Sequence, residues 1–249
     1  MKKLLLNIIN SLGYELVKRK HYHITTDMEQ DFLGFYDQCR PYTMTSVERM
    51  YSVYKAVEYL NKNKINGDIV ECGVWKGGSS MMAAMTLSHF DDTGRFVYMY
   101  DTYEGMSKPG EFDKNLSHKD ASQEYQETLM DDGISGWCYS AFDEVKTNMA
   151  RTGYPQDKIF LIKGKVEDTI PGKIPVNIAL LRLDTDWYES TLHNLEHLFP
   201  RLVPGGILIL DDYGHWLGAR KAADEYFAKA GIYPFLSRID YTGRIYFKP

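Results

Sequence analysis

The chain has 249 residues, 44 % hydrophobic and 25 % charged, which suits one α/β domain with a helical extension. A formal net charge of −5 offers nothing to a phosphate backbone, so nucleic acid is not expected as a partner. The three cysteines, Cys39, Cys72 and Cys138, show neither metal-ligand spacing nor a disulfide framework, which fits a reducing cytoplasm.

In chain order, residues 1–45 read as an N-terminal helical extension and residues 46–249 as the main domain. In the opening stretch, Leu4, Leu5, Ile8, Ile9, Leu12 and Leu16 share one helical face. Asn7, Asn10 and Ser11 interrupt it, so it is neither a signal peptide nor a membrane span. Docking on the domain or on another subunit is expected, with a membrane-surface helix as the alternative because lysines and Arg19 flank it. Ser46–Asn61 is an amphipathic helix that Ser46 can cap. GDIVECG is a short buried strand, KGGSSMMAAMTLSHF a helix opening on glycines, and RFVYMYD a strand ending on Asp101.

Residues 102–137 are polar and rich in glycine, and only about 117–130 has helical character. An insertion after a strand end lies at the binding edge, so it reads as a lid or substrate loop. Ser140–Arg151 is a helix and KIFLIKG a third strand. NIALLRLDTD and GGILILDD are buried strands that stop on aspartates, joined by a helix over Ser190–Leu202. Ala219–Ala230 is a further helix. IYPFLSRID and GRIYFKP close the chain as an antiparallel hairpin turning at Tyr241–Gly243. Alternating strands and helices predict a doubly wound, Rossmann-like α/β fold with a mostly parallel seven-stranded sheet.

Asp184 and Asp211 are 27 positions apart with one helix between them, so their strands are parallel neighbours ending on the same sheet edge. Asp184, Asp211 and Asp212 should meet there, with Asp186 close by. Carboxylates so gathered repel unless a hard divalent cation sits among them. Arg182, a charge inside a buried strand, should pair with an acidic side chain.

The turn after the first strand runs Glu71-Cys72-Gly73-Val74 and continues to Gly77-Gly78-Ser79. It is a poor G-x-G-x-x-G and resembles instead the E/D-x-G-x-x-x-G turn that holds S-adenosylmethionine. That resemblance implies glycine contacts to the amino-acid moiety and an acidic anchor for its ammonium. Asp101, followed by Thr102, sits where ribose hydroxyls are bound. Gly164, Glu167 and Asp168 end the third strand, where adenine is expected; helix capping is the alternative for Asp168. Trp187 and Tyr188 either border the cofactor or pack beneath the sheet edge.

CGVWKGGSS, DTYEGM, LRLDTDWYEST and LDDYGHWLGARKAADEY, with TMTSVERMY ahead of them, resemble the macrocin O-methyltransferase family over roughly residues 40–247. The resemblance implies a class I methyltransferase fold, S-adenosylmethionine as donor, Mg²⁺, and a sugar hydroxyl of a natural product or surface-polysaccharide precursor as acceptor. It places the metal ligands on Asp184, Asp211 and Asp212, leaves Asp186 open in place of Asp184, and implies a homo-oligomer. The base that deprotonates the hydroxyl would be Asp184, Asp186 or His215. Catechol methyltransferases, more distantly similar, carry a lysine where this chain has Trp187; a phenolic diol is the alternative acceptor. A non-catalytic binding module would predict a broken carboxylate set. An oxidoreductase is disfavoured because Tyr51-x-x-x-Lys55 precedes the first strand.

Overall fold

The structure is a computed structural model and describes residues 27–131 and 133–249. Seven strands form one sheet: β1 (Asp68–Cys72), β2 (Val97–Asp101), β3 (Ile159–Lys163), β4 (Ile178–Leu183), β5 (Leu202–Leu210), β6 (Ser237–Arg238) and β7 (Arg244–Phe247). Their order is β3-β2-β1-β4-β5-β7-β6. The first five are parallel, and β7 runs antiparallel between β5 and β6. This is the expected class I methyltransferase sheet. The order reverses between β1 and β4, and a doubly wound sheet opens its crevice at such a switch point.

β4 is buried at every residue, as a central strand covered on both faces must be. Strand alternation splits the core in two. Ile69, Leu180, Ile207 and Ile209 face α1 (Gln30–Cys39), α2 (Val47–Lys62) and α3 (Gly78–His89). Val70, Leu181, Leu183, Leu208 and Leu210 face α4 (Tyr188–Leu198) and α5 (Leu217–Lys229). Phe32 and Cys39 of α1 are fully buried in the first of these clusters. Ser46 caps α2, its hydroxyl accepting from the Arg49 N–H at 3.2 Å.

Some boundaries differ from the sequence reading. The stretch read as a strand over 232–240 pairs only at Ser237 and Arg238. Pro234 lacks the N–H a ladder needs, and Tyr233 and Phe235 point to solvent. The two helices that follow the acidic strand ends begin earlier than expected, at Tyr188 and Leu217. In the 102–137 segment only Ala121–Glu127 is α-helical. The helix expected over 1–20 lies outside the described residues. Among the described residues, no helix is long and apolar enough to cross a membrane.

Candidate active site

A cleft of about 270 Å³ opens at the switch point. Its walls come from the ends of β1, β2, β3, β4 and β5, the start of α2, the 102–137 segment and the turn before β7. Gly73, Asp101, Thr102, Gly164 and Glu167 line one part; Asp184, Asp186, Asp211, Asp212 and His215 line another.

Gly73 has φ +83°, and a Cβ there would collide with the backbone carbonyl of Asp184. Only glycine lets the β1 turn lie against the end of β4. Asp101 holds this turn from the other side: one carboxylate oxygen accepts from the N–H groups of Val74 (2.6 Å) and Trp75 (3.0 Å), the other from Tyr103 N–H (2.8 Å). The rest of the predicted cofactor set lies elsewhere. Cys72 and Val74 are buried core residues. A Cβ on Gly78 would meet Tyr42 and Thr43, so a glycine is needed there for this close packing, and it does not line the cleft. Gly77, Ser79 and Asp168 do not line the cleft either. Trp187 is buried against Trp137 and Trp216, its indole N–H donating to Ser107 O at 2.9 Å. The Tyr188 hydroxyl bonds Glu225 at the surface.

Charges are layered on the face toward α2. Glu71 of β1 is in register with Arg182 of β4, and Arg182 with Ile209 of β5. Two residues further along each strand, Asp184 and Asp211 therefore occupy the next row. Arg182, 4 % exposed, reaches Glu71 (2.6 Å), Asp211 (2.6 Å) and Asp184 (2.8 Å). Burial opposes its charge, but the three carboxylates outweigh that and raise its pKa well above the usual guanidinium range. Ser80 also donates to Glu71. Both Glu71 oxygens are thus engaged by Arg182 and Ser80, and Glu71 does not line the cleft. The second oxygen of Asp211 pairs with Arg49, whose Nε lies 3.0 Å from Asp240.

Asp212, one residue on, points the opposite way, as adjacent strand residues do. One oxygen from each of Asp184, Asp186 and Asp212 falls in a group spanning no more than 4.8 Å. The group includes Asp186; Asp211, expected beside Asp184 and Asp212 as a ligand, lines the same cleft with its two oxygens paired with Arg49 and Arg182. Burial, then mutual repulsion, raises the pKa of Asp212 well above the carboxylate range. Burial does the same to Asp184 despite Arg182, and lifts Asp186 to about 7. Burial, with Arg49 adding to it, lowers the pKa of His215 and keeps the ring neutral. Its Nδ1 lies 3.4 Å from the Tyr241 hydroxyl.

The donor set fits Mg²⁺ in kind, since Asp184, Asp186 and Asp212 would offer it only carboxylate oxygens, the hard donors that ion takes. Five carboxylates (Glu71, Asp184, Asp186, Asp211, Asp212) face two guanidinium groups, so further positive charge would be stabilising.

Arg49, Trp75, Cys138, Trp216 and Tyr241 also line the cleft, unforeseen from the sequence. Trp75, Cys138 and Asp186 all have positive φ without being glycine (47°, 52° and 60°), backbone strain of the kind that collects at functional sites. Arg49 had one sequence signal, its place in TMTSVERMY, and Trp75 its place in CGVWKGGSS; Cys138 had none.

The family profile described as macrocin-O-methyltransferase (TylF) matches residues 1–248. The 8-demethyl-8-(2,3-dimethoxy-alpha-L-rhamnosyl)-tetracenomycin-C 4'-O-methyltransferase of Streptomyces olivaceus is 33 % identical over 243 residues, 98 % of this chain and 88 % of that protein. The mycinamicin III 3''-O-methyltransferase of Micromonospora griseorubida is 30 % identical over 81 % of this chain and 76 % of its own length. Among solved structures, the O-methyltransferase NovP superposes with a TM-score of 0.71 at 29 % identity, covering 83 % of this chain and 82 % of NovP.

Proposed function

Since this chain belongs to the macrocin O-methyltransferase family, we propose that its cleft moves a methyl group from S-adenosylmethionine to a sugar hydroxyl of a natural-product glycoside or surface-polysaccharide precursor, with Mg²⁺ held by Asp184, Asp186 and Asp212. Methyltransferase chemistry follows from the family; the sugar and the metal are the proposal. The observation that carries it is the group of three carboxylate oxygens in the same cleft as the Gly73 turn and Asp101. The relatives named for rhamnosyl and mycinamicin methylation support a glycoside acceptor.

Each part of the cleft has a task. Gly73 brings the turn close to the end of β4, so that a donor bound along Gly73, Asp101 and Glu167 sits next to the carboxylates. Asp101 keeps that turn in place through Val74 and Trp75. A sulfonium methyl is already activated, so the protein must align the acceptor oxygen and remove its proton. A bound divalent cation supplies Lewis acidity that lowers the hydroxyl pKa and fixes its direction. His215 is neutral, lines the same cleft and carries no ion pair, so it is the group assigned to take the proton.

The test combines calorimetry and turnover. S-adenosylhomocysteine should bind with or without Mg²⁺. Methylation of rhamnosides bearing free vicinal hydroxyls should stop with chelator and resume with Mg²⁺. Turnover that ignores chelator would remove the metal from the proposal. Methylation of catechol with no glycoside accepted would move the acceptor to the phenolic class.

A further inference from the structure

Asp113 lies in the middle of the 102–137 segment, yet it is 1 % exposed. One carboxylate oxygen accepts from Gly110 N–H at 2.7 Å, closing a local turn. The other accepts from Tyr188 N–H, the first residue of α4, at 2.8 Å. That same oxygen lies against the backbone of Gly218, in the first turn of α5, where a Cβ would overlap it. Beside it, Leu217 N–H donates to Lys114 O at 2.8 Å, and Asn115 bridges to Trp216. The buried carboxylate thus fastens the insertion to the N-terminus of α4, and the neighbouring Lys114 carbonyl fastens it to the N-terminus of α5. Burial pushes the Asp113 pKa up, and the Gly110 and Tyr188 N–H groups oppose that shift.

Asp186 precedes Tyr188 by two residues and holds a left-handed backbone, φ +60°. Its own N–H donates to Asp212 at 3.1 Å, and Trp187 N–H turns back to Thr185 O at 2.6 Å. The turn is pinned at its start by Asp212 and at its end by Asp113. The Ser190 hydroxyl also braces this turn through Thr185 O (3.0 Å) and Trp187 O (3.2 Å), but without Asp113 the Tyr188 N–H loses its partner and the turn loses its tie to the insertion.

We propose that Asp113 is a positioning residue: by anchoring Tyr188 N–H, with Gly218 leaving it room, it keeps the Asp186 carboxylate beside Asp184 and Asp212 and ties the insertion to the metal-binding edge. This rests on the carboxylate–metal reading above. The test uses Mn²⁺ as the probe, with S-adenosylhomocysteine as control, both by calorimetry on the full chain. Asp113→Ala should weaken Mn²⁺ binding about tenfold while S-adenosylhomocysteine affinity stays within twofold. Gly218→Ala, which pushes a methyl into the space of the carboxylate without removing it, should give the same split. The double variant should be no weaker than Asp113→Ala alone, because both changes break one contact. Asp113→Asn keeps an acceptor for Tyr188 N–H and should restore Mn²⁺ affinity to within threefold of wild type. Wild-type Mn²⁺ affinity in both single variants, or equal loss of Mn²⁺ and S-adenosylhomocysteine binding, would overturn the role. A wild-type protein that binds no Mn²⁺ would overturn the metal reading itself, and this inference with it.

Discussion

Asp211 and Asp212 are neighbours in the chain and opposites in the fold. Asp211 joins Glu71 on the side of the sheet where Arg182 and Arg49 supply matching charge. Asp212 turns away from Asp211 and meets Asp186 and one oxygen of Asp184 at the strand ends, where Arg182 touches Asp184 and Arg49 acts on it from further off. The first region is charge-paired and nearly closed to water. The second is short of positive charge, with all three pKa values raised. Paired buried charges set the geometry of the strand ends; unpaired ones create the demand for a ligand. The compensated layer thus serves as the mount on which the uncompensated trio is held.

The largest effect should come from dismantling the mount. Arg182→Met leaves Glu71 and Asp211 buried with reduced or no compensation, and breaking such a pair from one side costs about 3–5 kcal/mol. Denaturant unfolding should show that loss with or without Mg²⁺; an unchanged midpoint would mean the network is ornamental. The next effect separates the two aspartates. Asp212→Asn should cut methyl transfer roughly 10²–10³-fold, the scale set by losing one preorganised electrostatic contact. The same variant should leave metal-free stability unchanged or higher, since it relieves like-charge repulsion. Asp211→Asn should instead lower stability by weakening the hold on Arg49 and Arg182. Identical stability losses in both variants would erase the contrast. Smaller again, His215→Gln should reduce turnover by about 10²-fold, the low end for a general base, with donor binding intact.

The sheet, its order and its site edge were legible because each depends on local signals: apolar runs, a glycine after β1 and aspartates at strand ends. Other features depend on partners distant in the chain. Strand alternation sends consecutive side chains to opposite faces, so Asp211 meets Arg49 and Arg182 while Asp212 meets Asp184 and Asp186. Glu71 had the look of a ligand anchor, but its partner Arg182 is 111 positions away and becomes its neighbour only through the β1–β4 register. Gly78 belongs to a contact with Tyr42 and Thr43, again distant in sequence. Asp113 carries no local mark and Arg49 only its place in TMTSVERMY, since their roles arise from pairings with Tyr188 and Asp211. The fold follows from short-range pattern, whereas charge compensation in the site is a long-range property.

The smallest effect probes how the mount is tied down at its outer end. The Ser46 hydroxyl accepts from Arg49 N–H and donates to Asp240 at 2.7 Å. Asp240 in turn accepts from Thr242 and Gly243 N–H and faces Arg49 Nε, so this one hydroxyl joins the start of α2 to the turn before β7. Ser46→Ala removes an N-cap worth about 1 kcal/mol. In a domain of this size that lowers Tm by about 2–4 °C. Mn²⁺ affinity should not move, because Ser46 reaches the compensated layer through Arg49 and Asp240 and never touches the trio. If Ser46→Ala weakens Mn²⁺ binding as much as it lowers stability, the two layers are one cooperative unit and the division between mount and ligand site is too sharp.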